Sequence, residues 1–167
     1  VESINIVKAK SFLDIGAFMG YYACFVASNF KDEIDVYAIE SNPRYVDYIG
    51  KSIGINNFKR VNVLNEILSD KEELLYVKNE TVISRADNEK NLVKLKSTTL
   101  DKLCEMKKII PEIMKIDVHG AEGKVLFGSN EILKKYAKVI LLELHTSNYL
   151  KKFSDGLSKK KIIFFLI

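Results

Sequence analysis

Short apolar runs alternate with longer stretches of helical period along this chain. Phe12, Leu13 and Ile15 form a run broken only by Asp14; Gly16-Ala17-Phe18-Met19-Gly20 then leads into an apolar stretch through Phe30. That order predicts strand, tight glycine turn and helix. Ile34–Glu40 predicts a second strand ending in an acid, and Ser41-Asn42-Pro43 a helix cap with proline at the first helical position. The helix from Arg44 carries Tyr45, Val46, Tyr48, Ile49 and Ile53 and ends within Gly54–Asn57. Val61–Leu68 reads as a third strand with its turn at Ser69-Asp70, and Glu73–Lys78 as a short strand. Asn79–Asn91 is polar and without periodicity, which predicts a surface loop. Thr99 caps a helix over Leu100, Leu103 and Met106, ended by Pro111. Ile113–Val118 is the next strand, Gly120–Tyr136 a turn and a helix, and Lys138–His145 a further strand. Tyr149–Leu157 predicts a short helix and Lys161–Ile167 a closing strand. Strands alternating with helices imply crossovers, so the expected architecture is α/β, a mainly parallel, doubly wound sheet with helices on both faces.

Composition narrows the class without naming a chemistry. The 167 residues fit one domain over residues 1–167, and 47% hydrophobic with 29% charged residues is ordinary for a globular chain. A net charge of +4 comes from scattered lysines whose small clusters read as solvated faces. Cys24 and Cys104 fall in helical patterns and form no disulfide or metal framework, which favours a reducing, cytoplasmic setting. No signal-peptide pattern is visible, and no apolar run approaches the roughly 20 residues of a membrane span. The sequence begins at Val1 rather than methionine, which leaves room for upstream residues that bear on substrate binding.

The candidate chemistry lies at the predicted strand ends. Gly16 and Gly20 allow positive φ and close approach, and the turn offers a helix N-terminus and bare backbone to a ligand. Ala17 and Phe18 stand where G-x-G-x-x-G needs its second glycine, so the spacing departs from the dinucleotide fingerprint and disfavours a nicotinamide-dependent oxidoreductase. Asp14 within the strand suits a ligand bearing an amino group rather than a pyrophosphate. Glu40, ending the second strand, occupies the place of an acid that accepts hydrogen bonds from ribose hydroxyls. Asn65 and Glu66 would lie near the base of a nucleoside across the sheet. Strand alternation puts Lys115, Asp117 and His119 on one face, a polar wall at a strand's carboxyl end. Glu143 and His145 share a face of the following strand. If the two strands are neighbours, Asp117, His119, Glu143 and His145 converge on one crevice, a set suited to acid–base chemistry or a divalent ion. Nothing in the spacing fixes their geometry, so no metal is assigned.

Taken together these stretches resemble the FkbM-type methyltransferases. Asp14-Ile15-Gly16-Ala17 through Gly20 is similar to the first cofactor motif, and Ala38-Ile39-Glu40-Ser41-Asn42-Pro43 to the ribose-binding acid and its asparagine-proline. Thr99-Leu100-Asp101 resembles the Thr-Leu-Asp before the fourth strand. Lys115-Ile116-Asp117-Val118-His119-Gly120-Ala121-Glu122, followed by Val125-Leu126 and Gly128, is the most specific piece, and Glu143-Leu144-His145 is similar to the end of the fifth strand. The resemblance departs at His119, where the family most often has Glu or Gln.

The resemblance implies a Rossmann-like methyltransferase fold of strand order 3-2-1-4-5-7-6, shortened by a strand of the C-terminal hairpin, with an antiparallel strand near that edge. It implies S-adenosylmethionine as cofactor, held by Asp14, Gly16, Ala17, Gly20, Glu40, Ser41, Asn65, Glu66 and Asp117. Asp117 or His119 would take the acceptor's proton, with Lys115 orienting Asp117 or the acceptor. The expected reaction is O-methylation of a small-molecule, hydroxylated or glycan acceptor. An RNA or DNA methyltransferase lacks support from any Asn-Pro-Pro-Tyr stretch or basic-aromatic strip. A non-catalytic cofactor-binding or interaction domain is the remaining alternative.

Overall fold

The polar and apolar faces of each strand assign it a place in a layered molecule. The structure, a computed structural model, describes residues 8–30, 33–78, 81–83, 93–145 and 161–166. In chain order the elements are β1 (Ser11–Ile15), α1 (Tyr21–Phe30), β2 (Asp35–Glu40), α2 (Pro43–Asn56), β3 (Val61–Asn65), β4 (Ile67–Leu68), β5 (Leu74–Lys78), β6 (Thr81–Ile83) and β7 (Val93–Thr98). They continue with α3 (Leu100–Lys107), β8 (Ile113–Ile116), α4 (Glu122–Phe127), α5 (Asn130–Lys135), β9 (Val139–Leu144) and β10 (Lys161–Leu166).

The main sheet has the order β10-β9-β8-β1-β2-β3 and every pairing in it is parallel. The α/β architecture and the run 3-2-1-4-5 are as expected. The C-terminal edge differs: β10 pairs directly and in parallel with β9, and the described residues include no antiparallel strand in this sheet. Residues 145–160 separate the two strands, enough chain for the crossover that a parallel pair requires.

Pleating sorts the core into two layers. Leu13 and Ile15, Met114 and Ile116, and Ile140, Leu142 and Leu144 face one side, where Leu100, Leu103, Val125, Leu126, Ile132 and Leu133 of α3, α4 and α5 cover them. Phe12, Val36, Ala38, Ile113 and Val139 face the other, under Ala23, Val26 and Ala27 of α1 and Ile49 of α2. All of β1 is buried, as a central strand covered on both faces must be. Glu40, Asp14, Lys115 and Glu143 share the parity of the second set, so their side chains leave the sheet on the α1 face.

Three expectations about elements need correction. Val61–Leu68 is two strands, because Glu66 N–H turns back to the carbonyls of Glu40 and Leu64, and Ile67 then joins a different sheet. That second sheet, β4-β7-β5-β6, includes β6 within the stretch expected to be loop and β7, which was not foreseen. Gly120–Tyr136 contains two helices, parted at Gly128. A Cβ at Gly128 would lie 2.2 Å from the carbonyl oxygen of Ser69, and the Gly128 carbonyl accepts from Asp101 N–H, so close backbone packing interrupts the helix.

Caps behave as read. Asn42 accepts from Arg44 N–H with Pro43 opening α2, and Thr99 accepts from Lys102 N–H to open α3. The helix expected at Tyr149–Leu157 and most of Asn79–Asn91 lie outside the described residues. No helix among the described residues is long and apolar enough to cross a membrane.

Candidate functional site

The carboxyl ends of β2, β1, β8 and β9 line up polar groups from four parallel neighbours. At the centre is the glycine turn. Gly16 N–H and Ala17 N–H both donate to the Ile39 carbonyl, at 3.0 and 3.1 Å, tying the turn to the end of β2. Gly16 has φ +77°, and a Cβ on it would sit 1.8 Å from the Asp117 carbonyl oxygen. Only glycine fits there, because the turn lies directly against the backbone leaving β8. Ala17 is buried, and Gly20 closes the turn with its N–H on the Ala17 carbonyl.

Glu40 is anchored rather than free. Its Oε2 accepts from Phe18 N–H at 2.8 Å, its Oε1 from Asn42 N–H at 2.8 Å, and the Ser41 hydroxyl lies 3.3 Å from Oε1. The carboxylate thus joins the glycine turn to the cap of α2. Two backbone donors fix its plane, and a carboxylate accepts about four hydrogen bonds, so it keeps capacity for a hydroxyl. Asn65 spends its amide on the carbonyls of Glu40 and Ser41, at 2.9 and 3.0 Å. It therefore shapes the β2 exit. Glu66 is half-buried at the break between β3 and β4. Phe18, half exposed, packs against Tyr45 with ring centroids 4.4 Å apart and planes tilted by 59°.

Asp14 is wholly buried and already engaged. Its Oδ2 accepts from Ala23 N–H at 3.0 Å, capping the first turn of α1 across the fold. Its Oδ1 lies 3.4 Å from Lys115 Nζ, since register sets the two residues side by side on β1 and β8. Burial pushes the Asp14 carboxyl up to about 6, against the opposing pull of Lys115 and the Ala23 hydrogen bond. Lys115 is itself buried: Nζ lies between Asp14 and Asp117, 3.3 Å from Asp117 Oδ2, with the Tyr22 ring 5.0 Å away. The amine that Asp14 meets here belongs to the protein.

Asp117 points its remaining oxygen elsewhere. Oδ1 is buried, has no hydrogen-bond partner among the described residues and lies 3.9 Å from His145 Nε2. His145 and His119 have ring centroids 4.7 Å apart. His119 sits in the turn after β8 with φ +50° and is exposed. The convergence of Asp117, His119, Glu143 and His145 expected from adjacent strands is thus observed, since β8 and β9 pair in parallel and Glu143 Oε1 lies 3.7 Å from His145 Nε2.

Sequence reasoning gave no role to Glu122. Its side chain is 0% exposed, and its Oε1 accepts from Gly120 N–H at 2.8 Å and lies 3.1 Å from His145 Nδ1. An acid in the first turn of a helix reads as a surface group complementing the dipole. Only the packing of α4 against β9 reveals it as the support of His145. Tyr22 and Phe18 were likewise given no role, and both stand exposed at the rim.

Comparison with known proteins agrees with this architecture. The Methyltransferase FkbM domain family matches residues 14–160. The crystal structure of Methyltransferase FkbM from Methylobacillus flagellatus KT superposes with a TM-score of 0.68 at 16% identity, over 91% of this chain and 38% of that one. A SAM dependent methyltransferase from Aquifex aeolicus gives a TM-score of 0.45 at 19% identity, over 77% of this chain and 50% of that one. This chain thus spans well under half the length of the first structure. No curated protein matches the sequence. With the family match running from Asp14 in the glycine-turn strand past the β9 histidine, the chain belongs to the FkbM methyltransferase family.

Proposed function

We propose that the protein is an S-adenosylmethionine-dependent methyltransferase, a single domain over residues 1–167, that methylates an oxygen of a small hydroxylated or sugar-like acceptor. The observation that carries this reading is Glu40. A carboxylate held by Phe18 N–H and Asn42 N–H beside a positive-φ glycine turn is built to receive vicinal hydroxyls, and the weakly placed Ser41 hydroxyl is the contact they would replace. The Gly16–Gly20 turn and the rim at Phe18 would hold the rest of the cofactor. Asp14 serves this site indirectly, by fixing α1 and Lys115.

When bound, S-adenosylmethionine supplies a methyl group already activated on sulfur, so the protein's task is to position, exclude water and manage one proton. Asp117 Oδ1 is the acceptor available for that proton, while Lys115 holds Oδ2 and keeps the carboxylate facing the crevice. His119, exposed at the mouth, would contact the acceptor. The polar wall suits a hydroxylated substrate better than an apolar one.

Calorimetric titration of S-adenosylhomocysteine into the folded chain, beside Glu40→Ala, tests the reading. Micromolar binding weakened at least about tenfold by the substitution is expected, the worth of one good hydrogen-bonded charge. A folded wild-type chain with no binding, or equal affinity in the variant, would overturn it.

A further inference from the structure

We propose that Asp117, His119 and His145 form a binding site for one divalent transition-metal ion, zinc or an ion of similar ligand preference, at the carboxyl ends of β8 and β9. One ligand atom from each of the three residues can be chosen so that all lie within 4.8 Å of one another. The best-defined pair, Asp117 Oδ1 and His145 Nε2, is 3.9 Å apart. That separation is too long for a hydrogen bond. It suits two donors sharing an ion, since bonds of about 2.0–2.2 Å place ligand atoms roughly 3–4 Å from each other. His119 lies in an exposed turn with its ring 4.7 Å from that of His145, and its ligand nitrogen must draw closer to complete the set.

The support beneath His145 points to the same end. Glu122 is completely buried, and its Oε1 lies 3.1 Å from His145 Nδ1. A carboxylate only accepts, so Nδ1 carries a proton, and in the neutral imidazole Nε2 is then the free donor atom, facing Asp117 Oδ1 at 3.9 Å and Glu143 Oε1 at 3.7 Å. A buried acid that orients a histidine in this way is the usual second layer of a metal site. The Oε2 of Glu122 and the Oδ1 of Asp117 are both buried without a hydrogen-bond partner among the described residues. Burying two such oxygens beside a pair of imidazoles is costly unless positive charge is available. Lys115 answers the other oxygen of Asp117, 3.3 Å away, and leaves Oδ1 unspent.

The donor set selects the ion. Two imidazoles and one carboxylate suit zinc and its first-row neighbours, whereas magnesium and calcium favour oxygen-only shells. Three protein ligands leave at least one position open for water or for an oxygen of the acceptor. Placing the acceptor there rests on the methyltransferase reading; binding of the ion does not. With an ion bound, Asp117 Oδ1 would be its ligand rather than the proton acceptor, and the ion would supply Lewis-acid activation of the acceptor's hydroxyl, whose proton would pass to water.

Cobalt(II) titration of the untagged, chelator-stripped chain tests the site through visible ligand-field absorption. The expected result is one cobalt per chain with a visible band that zinc displaces. His119→Ala, whose side chain is exposed and whose loss should leave the fold intact by circular dichroism, should abolish the band. Glu122→Gln should weaken binding about 10–100-fold, as loss of a supporting carboxylate does. No band at stoichiometric cobalt, or a band unchanged in His119→Ala, would overturn the proposal. S-adenosylhomocysteine titration of the same samples separates the two ideas. Cobalt without cofactor binding sinks the methyltransferase reading alone, and cofactor without cobalt binding sinks the metal site alone.

Discussion

Replacing Gly16 with alanine should damage this protein through two separable terms. The first is conformational: φ at Gly16 is +77°, and an L-residue held in the left-handed region costs about 1–2 kcal/mol. The second is steric. The new Cβ would lie 1.8 Å from the Asp117 carbonyl oxygen and 3.1 Å from Val118 Cγ1, so the turn and the β8 exit must separate by roughly an ångström. Forcing atoms into a packed site costs about 1–3 kcal/mol, sometimes more. Gly120 supplies the control. Its φ is +96°, yet a Cβ there meets nothing within 4 Å, so Gly120→Ala bears the conformational term alone. For a chain of this size each kcal/mol lowers Tm by about 2–4 °C. Gly16→Ala should therefore lose about 10 °C and Gly120→Ala about 5 °C, measured by thermal unfolding followed by circular dichroism at one scan rate. Because the clash separates Asp117 from the glycine turn, Gly16→Ala should also weaken S-adenosylhomocysteine binding at temperatures where it is fully folded. Equal Tm losses in the two variants would refute the reasoning, since they would show that the contact with Asp117 relaxes at no cost.

Two further perturbations follow from hydrogen-bonded carboxylates. Asp14 has its folded pKa raised from 3.8 to about 6, so the native state holds a proton that the unfolded chain releases between those values. Stability contributed by this group is present below about pH 4 and is lost as pH rises through 6; about two pKa units correspond to roughly 3 kcal/mol. Denaturant unfolding of wild type and Asp14→Asn from pH 4 to 7 should show the variant gaining relative stability with rising pH, whatever constant offset the lost Lys115 partner imposes; a flat difference would contradict the burial argument. Asp101 accepts from Glu131 N–H at 3.0 Å and Ile132 N–H at 2.9 Å, capping α5 from another helix because Ser129 makes no side-chain cap of its own. Asp101→Ala should cost about 1–2 kcal/mol of unfolding free energy in urea, as loss of a cap does, and an unchanged midpoint would dismiss the capping role.

The elements that could be read ahead of the structure are those whose signals are local. Asn42-Pro43 and Thr99 declare helix starts through their own side chains, and the apolar run at β1 declares a doubly covered strand. Long-range signals were illegible. The break after Asn65 depends on Glu66 N–H finding the Glu40 carbonyl, and the break at Gly128 depends on the Ser69 carbonyl, far away in sequence. The missed strand β7 is a different failure. Lys94, Leu95, Lys96 and Ser97 alternate with period two, a half-buried strand pattern overlooked beside the featureless polar segment before it.

The site divides along the same line. Which residues stand at strand ends follows from chain order, and parallel pairing of β8 with β9 makes the meeting of Asp117 and His145 a matter of register. What each residue spends its hydrogen bonds on does not follow. Asp14 looked like the group that meets a ligand's amine, but register with Lys115 supplies an amine from within the protein, and Ala23 N–H takes the other oxygen. Asn65 looked like a base contact, and its amide nitrogen is bound to the backbone of Glu40 and Ser41. Glu122 was given no role beyond its place in a motif and is the most buried carboxylate beside the histidines. For Asp14 and Glu122 an unsolvated polar group has to find its partner inside the fold, and that partner lies on another element. Beside the histidines, Asp117 Oδ1 and Glu122 Oε2 are left without a hydrogen-bond partner among the described residues, and the exposed His119 ring lies 4.7 Å from that of His145. Chemistry is to be sought at those unspent atoms, because Lys115 and the other oxygens of Asp117 and Glu122 are already committed to holding the sheet ends in place.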